Sequence, residues 1–410
     1  MKILYLVHQF YPEFQSGTEK VILNNALMAQ QIGNKVKIIT YSFYDDASYE
    51  NEIEGILCHE FIYKGIPIIA FKYKSQPIDL HFSLENKALK PFAEEIIKRE
   101  VPDIIHVGHS MRVHEFIRVA IERNIPYLFT LTDFFLICPK VILAPNNHSL
   151  CSGPKNGDAC ASLCKEFGRE LISIRLKTAR EFLKNSNAIV VPSKFVADVY
   201  KQEFDDLNIQ IINHGIQYKY IKQNSRFYSR DNKLVFGYAG SLSYHKGIHI
   251  LLKAFESIDN NKIKLRIYGS GEEYYLSRLK KAAQDDTRIK FYGSYSSEQL
   301  GDIFNSIDVL ITPSNSYESY LLVLHEALAS NVPVIASNLG GMAEKISDGF
   351  NGFTFAAGDS EELKNKIELI ISNPSILNKL KSNIKNNMII PAVEQEAYGY
   401  YKIYNNLIRE

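Results

Sequence analysis

Residues 308–329 read DVLITPSNSYESYLLVLHEALA, and this stretch decides the fold class. It begins with a short apolar run, passes through a loop rich in Pro, Ser and Asn, and ends in an apolar helical pattern. A strand, a loop and a helix in this order form the repeating unit of a parallel sheet with crossover helices. The stretch therefore predicts an α/β fold that binds ligands at the carboxyl ends of its strands.

Two glutamates in the same stretch are candidate ligand-binding groups. Glu318 lies in the loop, and Glu326 lies about two helical turns further along the chain. The free N–H groups at the helix start, around Leu321, Leu322 and Val323, and the positive end of the helix dipole favour a diphosphate. The simpler alternative is that Glu318 caps the helix and Glu326 is a solvated helical residue.

Similar strand and helix patterns fill both halves of the chain, which at 410 residues is longer than one hydrophobic core usually supports. Predicted strands are residues 2–7, 36–40, 104–107, 127–131, 188–191 and 209–212, then 234–239, 265–268, 289–292, 309–312, 332–336 and 353–355. A polar segment, 222–233, indicates a connector. We expect domains at 1–218 and 219–391, with a Tyr-rich C-terminal helix in 392–410 that packs back on the first domain.

The composition limits the class of partner. A formal net charge of +1 with 46% hydrophobic residues describes an ordinary globular protein, so nucleic acid is not expected as the main partner. The N-terminal apolar run, residues 3–7, ends at His8 and predicts a buried strand, not a signal peptide. No apolar run approaches the length of a membrane span, and we expect a cytoplasmic protein.

Four of the five cysteines fall in one segment. They are Cys138, Cys151, Cys160 and Cys164. Their spacing does not match the two tight knuckles of most zinc sites, and a disulfide framework is not expected in a cytosolic chain. A metal site, reduced thiols in an irregular loop and occasional oxidative pairing all stay open, and no metal is assigned.

A second candidate element is the stretch 236–247, which reads FGYAGSLSYHKG. It places Lys246 directly after a strand and a glycine turn, where an ammonium group can neutralise a diphosphate. Most lysines are only surface residues, and this is the alternative interpretation of Lys246.

Taken in order, these elements resemble the retaining glycosyltransferases of family 4, which have the GT-B architecture of two facing Rossmann-like domains with a cleft. The resemblance runs through residues 240–247, 267–272, 289–293 and 308–314, the two glutamates, 333–341 with Glu344, and 351–352. It implies that the domain at 219–391 binds a nucleotide-sugar donor and that the domain at 1–218 binds the acceptor.

The resemblance also implies roles for individual donor-site residues. Lys246 would bind the diphosphate, Glu326 the ribose hydroxyls and Glu318 the hydroxyls of the transferred sugar. The remaining predicted donor contacts are Gly17, Gly240, Ser241, Gly269, Gly293, Ser319, Leu321, Leu322 and Val323. Two positions depart from the family pattern, because Ser241 stands where arginine is frequent and Leu321 where glycine is usual. The leucine is expected to reshape the sugar pocket.

On the acceptor side the resemblance is looser. It covers Tyr11-Pro12, residues 16–19, 102–107 and 130–139. The family commonly has histidine before the aspartate that corresponds to Asp133, and Thr132 in its place can donate and accept hydrogen bonds but cannot act as an imidazole base. Asp133 joins Lys246 and Glu318 as a catalytic candidate, and His106 and His109 are the nearest histidines.

A basic helical pattern at 167–183 has two interpretations. It could rest on an anionic membrane face, or it could be a surface helix packed on its own domain. The first would make the protein peripheral to the inner face of the plasma membrane.

The predicted reaction is retaining transfer of a hexose-like sugar from a nucleotide-diphosphate sugar to an acceptor hydroxyl. We expect a glycan or lipid-linked acceptor in the synthesis of polysaccharide, lipopolysaccharide or another cell-surface glycan. No cofactor or metal is expected to be required, and the chain contains no Asp-x-Asp triplet. A sugar-nucleotide sensor or scaffold without activity is the alternative. A nicotinamide-dependent oxidoreductase is disfavoured because Gly269-Ser270-Gly271 lacks the third glycine of the dinucleotide motif.

Overall fold

The computed structural model describes residues 1–230 and 232–409. The chain divides into two compact units. The first contains Met1–Gly215 and the C-terminal segment from Val393, and the second contains Ile216–Ala392. The main division lies between Gly215 and Ile216, and the boundary predicted from the sequence was placed after residue 218.

The first unit is built on a nine-stranded sheet. Its strands are β1 (Lys2–Val7), β2 (Lys35–Tyr41), β3 (Asn51–Ile53), β4 (Ile56–Tyr63), β5 (Ile66–Tyr73), β6 (Ile104–Val107), β7 (Tyr127–Thr130), β8 (Ala188–Val191) and β9 (Ile209–Ile211). The order across the sheet is β3-β4-β5-β2-β1-β6-β7-β8-β9. Seven strands pair in parallel, but β4 is antiparallel to both β3 and β5. The predicted parallel arrangement thus holds for these seven strands, and the antiparallel edge is an addition to it.

Two tight turns create the antiparallel edge. Glu54 and Gly55 join β3 to β4 with φ of 49° and 77°, and Lys64 and Gly65 join β4 to β5 with φ of 49° and 82°. Positive φ at both central residues matches the twist of a hairpin, and glycine adopts it without steric cost. Strands β3, β4 and β5 were not predicted from the sequence.

Six helices connect the strands of the first unit. They are α1 (Gly17–Gln31), α2 (Lys90–Glu100), α3 (His114–Glu122), α4 (Asp158–Leu163), α5 (Arg169–Lys184) and α6 (Lys194–Glu203). Two of them, α1 and α6, have side-chain capping at their starts. Ser193 accepts a hydrogen bond from the Val196 N–H at 3.3 Å before α6, and the backbone N–H of Ser16 donates to Glu19 at 2.7 Å at the start of α1.

The second unit contains a six-stranded sheet. Its strands are β10 (Leu234–Ala239), β11 (Ile263–Tyr268), β12 (Ile289–Gly293), β13 (Val309–Thr312), β14 (Val334–Ser337) and β15 (Gly352–Phe355), in the order β12-β11-β10-β13-β14-β15. All neighbouring strands are parallel. The helices are α7 (Ile248–Glu256), α8 (Glu273–Ala282), α9 (Leu300–Asn305), α10 (Leu322–Ala329), α11 (Gly340–Lys345), α12 (Ser360–Ser372) and α13 (Ile376–Asn387). The predicted α/β class with two sheet domains is confirmed.

The polar segment 222–233 differs from the predicted connector. Asn224 is buried and donates to the carbonyls of Phe304 and Ile307 at 3.2 and 2.9 Å. The hydroxyl of buried Tyr228 donates to Asp308 at 2.8 Å. The segment has no apolar periodicity because polar side chains fix it to the second unit.

The C-terminal helix α14 (Val393–Arg409) packs on the first unit. The Tyr400 hydroxyl lies 2.7 Å from the Thr130 hydroxyl, and Glu396 accepts hydrogen bonds from the Gly215 N–H at 2.8 Å and from Nδ1 of His214 at 2.9 Å. Within residues 1–230 and 232–409, no helix has the length and apolar character that crossing a bilayer requires.

Candidate active site

Two loops of the second unit contact each other closely and position the predicted lysine, Lys246. The first follows β10 and ends in a single 3-10 turn, Tyr244–Lys246. The second follows β13. A side chain at Gly247 would place its Cβ 1.9 Å from the carbonyl oxygen of Pro313, so only glycine permits this approach. The Asn315 N–H also donates to the carbonyl of His245 at 3.0 Å. These contacts bring Lys246 next to the loop that carries Glu318.

Lys246 and Glu318 form an ion pair. The Nζ atom lies 2.7 and 2.9 Å from the two carboxylate oxygens, and the Ser314 hydroxyl donates to Oε1 of Glu318 at 2.7 Å. The side chains are 21% and 11% exposed. A partly accessible ammonium group can bind an anion, and the carboxylate beside it can accept hydrogen bonds from hydroxyl groups.

Helix α10 begins at Leu322, four residues after Glu318. Its N-cap residue, Leu321, has φ 60° and ψ 79°, which is the left-handed conformation that glycine adopts without cost. The left-handed backbone thus explains why glycine is usual at this position in the family. The turn exposes the first N–H groups of the helix, at Leu322 and Val323, at the positive end of the helix dipole, and these groups favour an anionic ligand.

Glu326 lies on the same helix and is buried. Glu326 lies close enough to Tyr295 to affect its phenol. Burial is the larger cause that raises the pKa of Tyr295, and the charge of Glu326 is the second. The charge of Glu318 acts in the same way on Tyr238, whose pKa burial raises well above its usual value. Each of the two carboxylates therefore lies near a tyrosine of the second unit.

The three predicted glycine turns of the second unit touch one another. A Cβ on Gly269 would lie 1.8 Å from the carbonyl oxygen of Gly240, and the Gly269 N–H donates to the carbonyl of Gly293 at 2.7 Å. They lie at the carboxyl ends of three neighbouring strands. Ser241 is exposed beside them, and Ser319 packs its backbone against Gly341.

Gly17 belongs to the first unit, where it is the first residue of α1. Its predicted contact with donor phosphates stays a prediction.

His109, Thr132 and Asp133, which were predicted for the acceptor side, lie together at the strand ends of the first unit. Nε2 of His109 lies 2.8 Å from the Asp133 carboxylate, and Nδ1 of His109 accepts a hydrogen bond from the Met111 N–H at 3.1 Å. Because Nδ1 is an acceptor, the ring proton is on Nε2 and points at Asp133. The carboxylate is 25% exposed and fixed by the Phe135 N–H at 2.9 Å. The hydroxyl groups of Thr132 and Thr18 form a hydrogen bond of 2.9 Å.

His8 is a member of this cluster that the sequence analysis did not identify. Its ring stacks on that of His109 with centroids 3.8 Å apart. Burial first, then the charges of His109 and Arg112, hold the pKa of His8 well below its usual value. Its position was the available signal, since His8 directly follows β1 at the ligand-binding edge of a parallel sheet.

His106 does not join the cluster. It lies inside β6 with no exposed surface, and its ring nitrogens bond the hydroxyls of Tyr404 and Thr130 at 2.6 and 2.7 Å. Burial lowers its pKa to about 3. The expected acceptor-side position of His106 is therefore corrected, because this strand residue faces α14 and not the sheet edge.

Three of the basic residues predicted for helix α5 are buried or paired within the first unit. Arg175 is buried and donates to the carbonyls of Phe82 and Phe135. Arg180 and Lys184 both pair with Asp206, at 3.1 and 2.6 Å. The contacts of these residues favour a helix packed on its own unit over a membrane-binding helix.

The four predicted cysteines lie together. Cys138, Cys151, Cys160 and Cys164 are buried free thiols that line one cavity. Burial first, then the charges of the neighbouring thiols, raise the pKa of Cys160 to about 12.

Two family profiles match the chain in sequence order. Residues 15–219 match the profile described as Glycosyltransferase Family 4, and residues 220–387 match that of Glycosyl transferases group 1.

Several glycosyltransferases are similar to the chain in sequence, and several solved structures share its fold. The lipopolysaccharide 1,2-N-acetylglucosaminetransferase of Salmonella typhimurium is 30% identical over 192 residues, which is 43% of this chain and 50% of that protein. An uncharacterized glycosyltransferase of Methanocaldococcus jannaschii is 28% identical over 90% of this chain and 89% of its own length. The structure is similar to the sucrose-phosphate synthase of Thermosynechococcus elongatus, with TM-score 0.76, 17% identity and coverage of 100% and 99%. It is also similar to Anabaena HepE in complex with UDP-glucose, with TM-score 0.68, 18% identity and coverage of 100% and 98%.

Each of the two family profiles thus matches one of the two sheet domains. The protein belongs to the GT-B glycosyltransferases, its first half matching Glycosyltransferase Family 4 and its second half Glycosyl transferases group 1.

Proposed function

We propose that the protein is a retaining glycosyltransferase of family 4 that takes a hexose-like sugar from a nucleotide-diphosphate sugar. The observation that carries the proposal is the ion pair of Lys246 and Glu318, 2.7 Å apart, directly before the N-terminus of α10. It combines a cation and helix N–H groups for a diphosphate with a carboxylate for sugar hydroxyls.

Each donor-site residue has a distinct proposed role. The leaving diphosphate gains negative charge in the transition state, and Lys246 with the N–H groups of Leu322 and Val323 stabilises it. Glu318 exchanges its contact with Lys246 for hydrogen bonds from the transferred sugar, while Ser314 keeps the carboxylate oriented. Glu326, two turns down α10, binds the ribose hydroxyls. This set of charges supports a reaction that requires neither metal nor cofactor.

The proposed acceptor-side groups are Asp133 and His109. The partly exposed carboxylate of Asp133 is fixed by two hydrogen bonds, and a carboxylate held in this way can accept the hydrogen bond of an acceptor hydroxyl. His109 orients it, and Thr132 supplies a further hydroxyl. Relatives named for lipopolysaccharide and capsular polysaccharide synthesis favour a cell-surface glycan or its lipid-linked precursor as the acceptor.

A panel of nucleotide sugars with different bases and sugars tests the proposal. The purified chain is incubated with each donor, release of the nucleoside diphosphate is measured, and the product linkage is assigned by NMR. We expect turnover of at least one donor and the same anomeric configuration in product and donor. Inversion would contradict the retaining mechanism, and donor binding without any turnover would favour the sensor.

A thermal-shift measurement tests the ribose contact with a matched control. A ligand that binds only the folded protein raises its apparent stability. The nucleoside diphosphate of the active donor should raise the melting temperature of the wild type and of Glu368→Gln, an exposed change on α12. Glu326→Gln should lose most of that shift. An equal shift in both variants would remove Glu326 from the donor site.

A further inference from the structure

The four cysteines of the first unit converge from separate parts of one connection. Cys138 and Cys151 lie in the loop after β7, while Cys160 and Cys164 lie on and just after α4. The Cys164 N–H donates to the Cys160 carbonyl at 2.8 Å, so the backbones of these two residues lie one helical turn apart. All four line one cavity, and all four are buried.

The rest of the cavity wall is almost entirely apolar. Its apolar residues are Ile137, Pro139, Leu143, Ala144, Pro145, Pro154 and Ala159. Among the described residues, Lys140 is the only charged one that lines the cavity. The Nζ atom of Lys140 lies 2.7 Å from Glu166, so its charge is already paired. Four sulfur atoms are thus the only groups of this wall that bind metals well, and thiolates select soft ions such as Zn²⁺ over Mg²⁺ or Ca²⁺.

The connection that carries these thiols is held in an unusual backbone shape. Between β7 and α5, regular structure is limited to α4 and short turns among the described residues. Five residues other than glycine adopt positive φ there, namely Val141, Leu143, His148, Lys155 and Asn156. Such conformations persist where surrounding interactions fix them, and a loop this long without regular structure usually has a function or a stabilising ligand.

We propose that Cys138, Cys151, Cys160 and Cys164 form a structural zinc site that fixes this connection beside Asp133. On binding, each thiol loses its proton and its sulfur bonds the ion, so four protons are released for one Zn²⁺. In the described part of the chain, no three metal-binding side chains already stand in a coordinating arrangement. Binding therefore draws the sulfur atoms inward, to about 2.3 Å from the ion.

Metal content of the purified full-length chain tests the site. The protein is expressed with added zinc, purified without chelators and measured by mass spectrometry of the elements. We expect about one zinc per chain in the wild type. Cys58→Ser, which changes the buried cysteine of β4, should keep it, and Cys160→Ser should lose it. One zinc per chain in Cys160→Ser would overturn the assignment.

A second measurement on the wild type avoids any folding defect of the variants. The zinc is removed under reducing conditions and replaced with Co²⁺, whose tetrahedral thiolate complex absorbs strongly in the near ultraviolet and visible range. Appearance of these bands, with protection of four thiols from a thiol reagent, supports the site. Absence of the bands in reduced protein, or a native mass lower by four hydrogens because the thiols form two disulfides, overturns it.

Discussion

Leu321 holds the backbone conformation on which the proposed donor site depends. Its φ of 60° is unfavourable for any residue with a Cβ, by about 1–2 kcal/mol. Leu321→Gly and Leu321→Ala both remove the side chain, but only glycine relieves the backbone. We expect the glycine variant to be more stable than the alanine variant by about 1 kcal/mol, measured as the free energy of unfolding in urea. Equal stability would mean that the left-handed conformation is not strained.

His114 makes the first unit sensitive to acid. It is buried on α3, and neither ring nitrogen has a hydrogen-bond partner among the described groups. Burial first, then the charges of Arg118 and Arg175, lower its pKa to about 3, from 6.5 in an unfolded chain. The unfolded state therefore binds a proton between these two values that the folded state does not, so the stability present above pH 6.5 is lost as the pH falls towards 3.

His114→Phe removes this titration and leaves no new polar group without a partner. Between pH 7.5 and pH 5, the wild type should lose on the order of 1–2 kcal/mol more stability than the variant. Unfolding in urea at the two pH values measures the difference. A parallel pH dependence in the two proteins would contradict the burial of a neutral imidazole.

Residue chemistry predicted both partners of the ion pair but not the pair itself. Lys246 and Glu318 were recognisable because each stands next to a strand end in a glycine or serine loop. Their distance of 2.7 Å depends on the close approach of Gly247 to Pro313, a tertiary contact that no local pattern specifies.

At the scale of elements, α14 fixes the C-terminus to the first unit through buried hydroxyl groups. The Tyr404 hydroxyl lies 2.6 Å from Nδ1 of His106 and 3.1 Å from the Tyr5 hydroxyl. Tyr404→Phe leaves buried polar groups without this partner and should destabilise the protein by about 1–3 kcal/mol. Tyr398→Phe changes a residue of the same helix that is 58% exposed, and its effect should stay within about 0.5 kcal/mol. Calorimetry of both variants checks this, and equal melting temperatures would contradict it.

Most strands with continuous apolar runs were predicted from the sequence, but β3, β4 and β5, at the antiparallel edge of the first sheet, were not. Strands β6, β8, β10 and β13 have the predicted bounds because both faces of a central parallel strand are buried and most residues of the run are apolar. β4 begins with three buried residues, then alternates partly buried and exposed ones, and carries a histidine and a glutamate. The Glu54-Gly55 and Lys64-Gly65 turns were its available signal.

At the scale of the whole molecule, the two-domain α/β class followed from the repeated strand and helix pattern, and it is confirmed. The polar segment 222–233 and His106 show where prediction from the sequence pattern fails. A polar residue indicates solvent or a ligand only when no buried partner satisfies it, and here Asn224 and His106 both have such partners.

Turnover of the active donor by Lys246→Ala tests the central claim, that this lysine stabilises the leaving diphosphate. Removing one such group typically lowers kcat by about 100-fold to 1,000-fold. The matched control is Lys253→Ala, an exposed change on α7 close in sequence. We expect a loss of at least about 100-fold in Lys246→Ala with an unchanged circular dichroism spectrum, and wild-type rates in Lys253→Ala. Near-normal turnover in Lys246→Ala would contradict the account.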